Sequence, residues 1–181
     1  MPSKSKPAWR QLSPNDIPAL FTISEHIHPG LPESIEVFAE RVNLFPEGCL
    51  ALVSTSPDAN EELLGYAISH PILHRQPPAL DSLLGQICED PKQYYIHDFA
   101  VLPEVRGGGL AKEGVKRLLD VGRRFESTCL VSVYGTGSFW EKFGFVKGDL
   151  EEDLREKLEG YGEGAVFLER RNEGILGMGQ L

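Results

Sequence analysis

Two groups of residues near the middle of the chain can do chemistry. The run Arg106-Gly107-Gly108-Gly109-Leu110-Ala111 follows a strand-like stretch, Tyr94–Val101, and opens a helix-like one. Three glycines in a row strip side chains from a turn, so its backbone N–H groups can converge on an anion. The helix that follows adds its positive N-terminal end, and Arg106 adds a cationic fork suited to phosphate oxygens. Upstream, His97 lies within the strand-like stretch, four residues before Val101. An imidazole titrates near neutrality and can take a proton from an ammonium group.

Three cradle patterns compete. No segment supplies G-x-x-x-x-G-K-[ST]. A G-x-G-x-x-G fingerprint starting at Gly107 and Gly109 fails because Lys112 occupies the third glycine position, and Cys129 falls near the place of the expected acidic residue. The pattern R/Q-x-x-G-x-G/A is met by Arg106, Gly109 and Ala111. Here the chain resembles the GNAT acyltransferase superfamily, whose members bind acetyl-CoA through this loop. Ile96–Pro103 looks like the family's fourth strand, which ends in Ala-Val-x-Pro. Phe139-Trp140-Glu141-Lys142-Phe143-Gly144-Phe145 looks like its later signature, F-Y-x-[RK]-x-G-F. Within the superfamily the pattern is closest to the small-amine and arylalkylamine N-acetyltransferases. They carry two histidines on the fourth strand, spaced by one residue; His97 matches the second and Tyr95 stands at the first.

The resemblance implies an acetyl-CoA-dependent N-acetyltransferase acting on a primary amine, arylalkylamine or polyamine-like. Acetyl-CoA or CoA is the implied cosubstrate. Its pantetheine arm is expected along Phe99, Ala100 and Val101, and its pyrophosphate at Arg106, Gly107, Gly108, Gly109, Leu110 and Ala111. His97 is the candidate base. The signature places a tyrosine near the CoA sulfur as acid, but this chain has Trp140 there, and indole donates no proton at useful pH. Trp140 is therefore expected to pack over the cofactor arm. Tyr134, at the end of the fifth strand, is a substitute acid, set against the reading of an ordinary half-buried strand tyrosine. Two other functions compete: a protein or peptide N-acetyltransferase, and a non-catalytic acyl-CoA-binding member, which Trp140 keeps in play.

Lys112, Lys116 and Arg117 can meet the adenosine phosphate or simply face solvent. Asp81, Glu89 and Asp90 flank an irregular loop and are candidates to attract a cationic amine. Alternation along the strand puts Tyr95, His97 and Phe99 on one face and Asp98 on the other. His26, His28, His70 and His74 are expected away from the motif.

The elements that must position these groups read as an α/β domain. The expected architecture is a mostly antiparallel mixed sheet of six to seven strands, flanked by helices and splayed between the fourth and fifth strands. Residues 8–170 form the expected single domain, with loose tails at 1–7 and 174–181. Ser13 and Ser34 can cap two helices, the first reaching to His26. Strands are expected at 9–12, 49–54, 63–70, 94–101, 128–133, 145–147 and 165–168, and helices at 110–125 and 138–143. A short helix fits 80–84 within the Pro-rich stretch 71–92. The acidic run 151–159 is a solvated helix or loop.

The chain has 181 residues and a formal net charge of −9. That balance argues against a nucleic-acid surface. Cys49, Cys88 and Cys129 lie far apart and suggest neither a disulfide framework nor a metal site, so no metal is expected and a reducing, cytoplasmic compartment is the default. No apolar run approaches the ~20 residues of a membrane span. A monomer and a homodimer are both compatible with the sequence.

Overall fold

The computed structural model describes residues 5–56 and 60–174. Seven strands form one sheet in the order β1-β2-β3-β4-β5-β7-β6. They are β1 (Ala8–Gln11), β2 (Leu50–Thr55), β3 (Glu61–Ile72), β4 (Gln93–Val101), β5 (Ser127–Ser132), β6 (Val146–Lys147) and β7 (Val166–Arg171). The β4–β5 pair is parallel and all the others are antiparallel. The helices are α1 (Ile17–Ile27), α2 (Ile35–Leu44), α3 (Leu110–Gly122), α4 (Gly137–Glu141) and α5 (Glu152–Glu159). This is the mixed, mostly antiparallel sheet that the sequence implied.

Each face of the sheet has its own apolar partner. On one face Trp9, Ala67, Tyr94, Ile96, Val101 and Leu130 pack against Val115 and Leu118 of α3 and Trp140 of α4. Gly114 lets α3 sit this close: a Cβ there would lie 2.6 Å from the Trp9 ring. On the other face Ala51, Tyr66, Ile68 and Ala100 meet Leu20 and Ile23 of α1 and Phe38 and Val42 of α2. Farther along that face, Ile72, Tyr95, Cys129 and Phe167 meet Leu154 and Leu158 of α5. Both faces are covered, which is why Leu50–Val53 of β2 reads as an unbroken apolar run.

Two irregularities of β4 shape the centre of the molecule. Its pairing with β5 ends at Ile96–Leu130, although β4 continues to Val101. From His97 onward, the edge of β4 that faced β5 has lost its strand partner. The pairing with β3 also slips: Ser69 opposes Ile96 while Ile68 opposes Asp98, leaving His97 as the extra residue of a β-bulge.

Several expectations are corrected. Residues 80–84 form no helix. Asp81 and Gly85 have positive φ, 55° and 74°, and the N–H groups of Leu84 and Gly85 go to the Glu40 carboxylate. Helix α3 stops at Gly122 rather than Phe125, and the chain leaves in tight turns. Phe145 lies before β6, not in it, and β7 is Val166–Arg171. The expected N-terminal tail is tied down at Ser5, whose N–H donates to the Thr55 carbonyl at 2.8 Å. Residues 1–4, 57–59 and 175–181 lie outside the described residues.

Candidate active site

The glycine loop sits where the sequence put it, between β4 and α3. Gly107 and Gly109 have φ of 90° and 80°, a region that strains any residue with a Cβ. Gly109 is the residue before the first turn of α3. An added Cβ at Gly107, Gly108 or Gly109 meets nothing within 4 Å, so the loop presents bare backbone to open space. Arg106 is exposed, and its Nε donates to the Val101 carbonyl at 2.9 Å. That bond occupies one of the carbonyls that β5 no longer meets and fixes the guanidinium at the mouth of the splay. These features fit a pyrophosphate group.

Behind the loop a cavity of about 480 Å³ passes through the gap between β4 and β5. Residues from both faces line it: Ile96, Phe99, Val101 and Trp140 from the α3 side, His28, Glu33, His97 and Asp98 from the other. Trp140 is buried and stands edge-on to Phe99 at 5.9 Å between ring centres. Phe99 in turn stacks on Trp9, whose Nε1 donates to the Leu110 carbonyl at 2.8 Å. An aromatic stack thus backs the place expected to take the cofactor arm.

The bulge reverses one expectation. His97 and Asp98 both point to the α1–α2 face, whereas Phe99 points to the α3 face. The extra residue breaks the alternation that would have kept Tyr95, His97 and Phe99 together.

Each of these two polar side chains has a partner from the α1–α2 connection. The Glu33 Oε1 lies 2.8 Å from the His97 Nε2, and the two side chains are only 7% and 1% exposed. The Asp98 Oδ1 lies 3.0 Å from the His28 Nε2, and its Oδ2 accepts from the Tyr66 hydroxyl at 2.6 Å. Burial pulls the His28 pKa down, but the carboxylates of Asp98 and Glu33 outweigh it and leave it raised. Burial would lift the Asp98 carboxyl; His28 and Tyr66 hold it below its usual range. Behind His97, burial and the neighbouring His97 and Arg41 press the His70 pKa down to about 3. His28 and His70 are therefore part of this centre, not remote from it as the sequence suggested. His26 and His74 do not line the cavity.

Tyr134 is neither half-buried nor in a strand. It follows β5, has φ of 52°, is 57% exposed, and stacks parallel on the His28 ring at 5.8 Å. Its hydroxyl passes close to Gly30, where a Cβ would come within 3.3 Å.

Other candidate positions fall elsewhere. Asp81 accepts from the Ser34 N–H and hydroxyl at 2.7 and 2.6 Å. Asp90 pairs with Lys92, and Glu89 is exposed outside the cavity. Lys112 and Lys116 are exposed on α3, and Arg117 pairs with Glu113. The sequence reading missed Glu33, His28 and Tyr66. Only Glu33 carried a local sign, a carboxylate in a Pro-bounded connection between two helices. Among the described residues, no group of three or more His, Cys, Asp or Glu is placed to hold a metal ion, and no helix is long and apolar enough to cross a membrane.

The fold recurs in solved structures of low sequence identity. The loading GNATL domain of CurA from Lyngbya majuscula aligns with a TM-score of 0.70 at 15% identity, covering 92% of this chain and 98% of that one. Naa50 from Arabidopsis thaliana, in complex with the bisubstrate analogue CoA-Ac-MVNAL, aligns at 0.62 and 14% identity over 92% and 99%. N-acetylglutamate synthase from Neisseria gonorrhoeae, complexed with coenzyme A and N-acetyl-glutamate, aligns at 0.64 and 20% identity over 94% of this chain and 36% of that one. No curated protein matches the chain in sequence. The Acetyltransferase (GNAT) family matches residues 17–145, which include β2 to β5, the loop and all of the cavity lining but Tyr161. The chain belongs to the GNAT acetyltransferase family.

Proposed function

We propose that residues 8–170 form one acetyltransferase domain that moves an acetyl group from acetyl-CoA to a small primary amine, arylalkylamine or polyamine-like. The observation that carries this reading is the cavity through the β4–β5 splay. It runs from Arg106 and Ala111, at the two ends of the glycine loop, to a wall bearing two carboxylate–imidazole pairs. Acetyl-CoA supplies an acyl group already activated as a thioester. The loop Arg106–Ala111 holds its pyrophosphate, the unpaired edge of Phe99, Ala100 and Val101 receives its arm, and Trp140 packs beside that arm. An N–H of that edge polarises the acyl carbonyl.

His97 takes the proton that the incoming ammonium must lose, and Glu33 holds its ring in register. The amine nitrogen bonds to the acyl carbon and releases its second proton to solvent, which restores the proton that Tyr134 gives up; the carbon–sulfur bond breaks, and the sulfur leaves as thiolate. Tyr134, at the mouth of the same cavity, returns a proton to the sulfur. The buried carboxylates Glu33 and Asp98 favour a cationic acceptor, and Ile27 and Leu31 offer its body an apolar wall.

The test is thiol release from acetyl-CoA with a panel of small amines and of peptides. Release with small amines and none with peptides is expected. Preference for peptides overturns the acceptor class. CoA binding with no release on any acceptor makes the protein an acyl-CoA-binding member without this activity.

A further inference from the structure

The stretch Pro77–Gly85 is irregular in backbone yet densely anchored. At its start, the Pro77 carbonyl accepts from Lys157 Nζ and the Pro78 carbonyl from the Tyr161 hydroxyl, both at 3.0 Å. In its middle, the Asp81 carboxylate takes two hydrogen bonds from Ser34, and the Asp81 N–H donates to the Glu33 Oε2 at 3.1 Å. The Ser82 carbonyl accepts from Arg41 Nη2 at 2.7 Å. At its end, Leu84 and Gly85 donate their N–H groups to the two oxygens of Glu40 at 2.7 and 2.9 Å. Arg41 is fully buried, and Glu40 lies 2.6 Å from it as counter-charge. A loop with neither helix nor strand of its own is thereby held against α2 and the end of α5 along its whole length.

One side chain of this strap enters the cavity. Leu80 lines it together with Leu31 and Glu33. Glu33 joins the two functions of this wall: one oxygen is on His97, the other on the strap backbone. The position of Leu80 is thus registered to the position of His97 through a single buried carboxylate.

We infer that Pro77–Gly85 is the specificity strap of the acceptor chamber, and that Leu80 sets how long an amine fits. This rests on the acetyl-transfer reading above and adds to it the group that measures the acceptor. A chamber closed by an anchored wall rejects each methylene that overruns it by roughly tenfold or more. A wall held by hydrogen bonds that do not involve the Leu80 side chain also stays in place when that side chain is changed, so a change in Leu80 alters depth and little else.

The experiment uses the full chain and a series of straight-chain primary amines from two to ten carbons. It compares wild type with Leu80→Ala and Leu80→Trp. Two readouts are taken: kcat/KM for thiol release, and the shift in melting temperature caused by each amine in the presence of CoA. Wild type should show a chain-length optimum. Leu80→Ala should move it to longer amines, with at least about tenfold gain in kcat/KM for the first excluded one. Leu80→Trp should move it to shorter amines. Identical profiles in all three proteins overturn the strap assignment. If amines shift the melting temperature along these displaced profiles without any turnover, the strap stands and the acetyl-transfer reading falls. The absence of any amine effect in either readout overturns the strap.

Discussion

His97 and Asp98 are neighbours in sequence and share one face of β4. An unbroken strand forbids this, and the bulge opposite Ile68 and Ser69 permits it. The consequence is two imidazole–carboxylate pairs set side by side, His97 with Glu33 and His28 with Asp98, in one cavity wall. Each histidine meets the carboxylate of the other structural element. The strand therefore contributes one acid and one base, and so does the α1–α2 connection.

From this arrangement His97→Gln should lower turnover on the preferred amine by about 10²–10⁴ at pH 7, the usual cost of losing a general base. CoA affinity should not change, because Gln fills similar space far from the loop. The deficit should shrink at pH 9.5, where more of the amine is free and no base is needed. Steady-state kinetics at both pH values decide it. An equal deficit at the two would assign His97 to packing alone.

The cradle and its strand were legible because their signals are local. Three glycines, the Arg106 beside them, and the Ala100-Val101 end of β4 before Pro103 specify a strand, a turn and a helix without help from distant residues. The acceptor side was not legible, because it is built from long-range contacts. Nothing near His97 announces a bulge: no glycine marks it, and the slip is set by the pairing of β3. Glu33 meets His97 only after α1 and α2 pack on the sheet. Leu80–Leu84 has helix-forming residues, yet the N–H groups of Asp81 and Leu84 are claimed by Glu33 and Glu40, and positive φ at Asp81 breaks the turn. Tertiary hydrogen bonds outweighed a weak local preference there.

Gly109→Glu tests the cradle. The site has room for a Cβ, so the variant should fold, at a cost of about 1–2 kcal/mol for a left-handed non-glycine residue. The side chain and its charge then occupy the space in front of the loop's N–H groups. CoA affinity should fall on the order of 10²-fold, the size of one or two charge-assisted hydrogen bonds. Calorimetric titration of a variant with a near-normal melting temperature measures this directly. Unchanged affinity would remove the loop from the cofactor site.

Trp140 stands where the family signature carries a proton donor, and indole is a donor of hydrogen bonds only. Trp140→Phe should keep most of the turnover, because the ring still packs edge-on against Phe99, Phe139 and Phe145. Trp140→Ala should destabilise the fold by ~3–5 kcal/mol, the range for emptying a buried aromatic site, and weaken CoA binding. Trp140→Tyr, if it raises turnover at unchanged CoA affinity, supports a missing acid at this position. A collapse of turnover in Trp140→Phe with normal CoA binding would contradict the packing role.

The last prediction concerns acid stability and turns on His70. Its ring is fully buried against His97 and Tyr95, and burial, with smaller contributions from His97 and Arg41, presses its pKa from 6.5 to about 3. In the unfolded chain the same ring protonates near 6.5. Between these values only the unfolded state binds the proton, so His70 removes stability as pH falls from about 6.5 toward about 3. The slope from one such group is up to ~1.4 kcal/mol per pH unit. His28 works in the opposite sense. Its raised pKa adds stability that is present at low pH and lost as pH rises through the folded-state value. His70→Leu, which keeps an apolar side chain in the buried site and cannot titrate, should flatten the acid side of the curve. Urea midpoints between pH 4 and pH 7 for wild type and His70→Leu give the comparison. The difference between the two proteins should grow steadily in favour of the variant as pH drops. A constant difference across that range would mean that His70 takes up its proton equally in the folded and unfolded states, and the neutral, buried ring behind His97 would have to be abandoned.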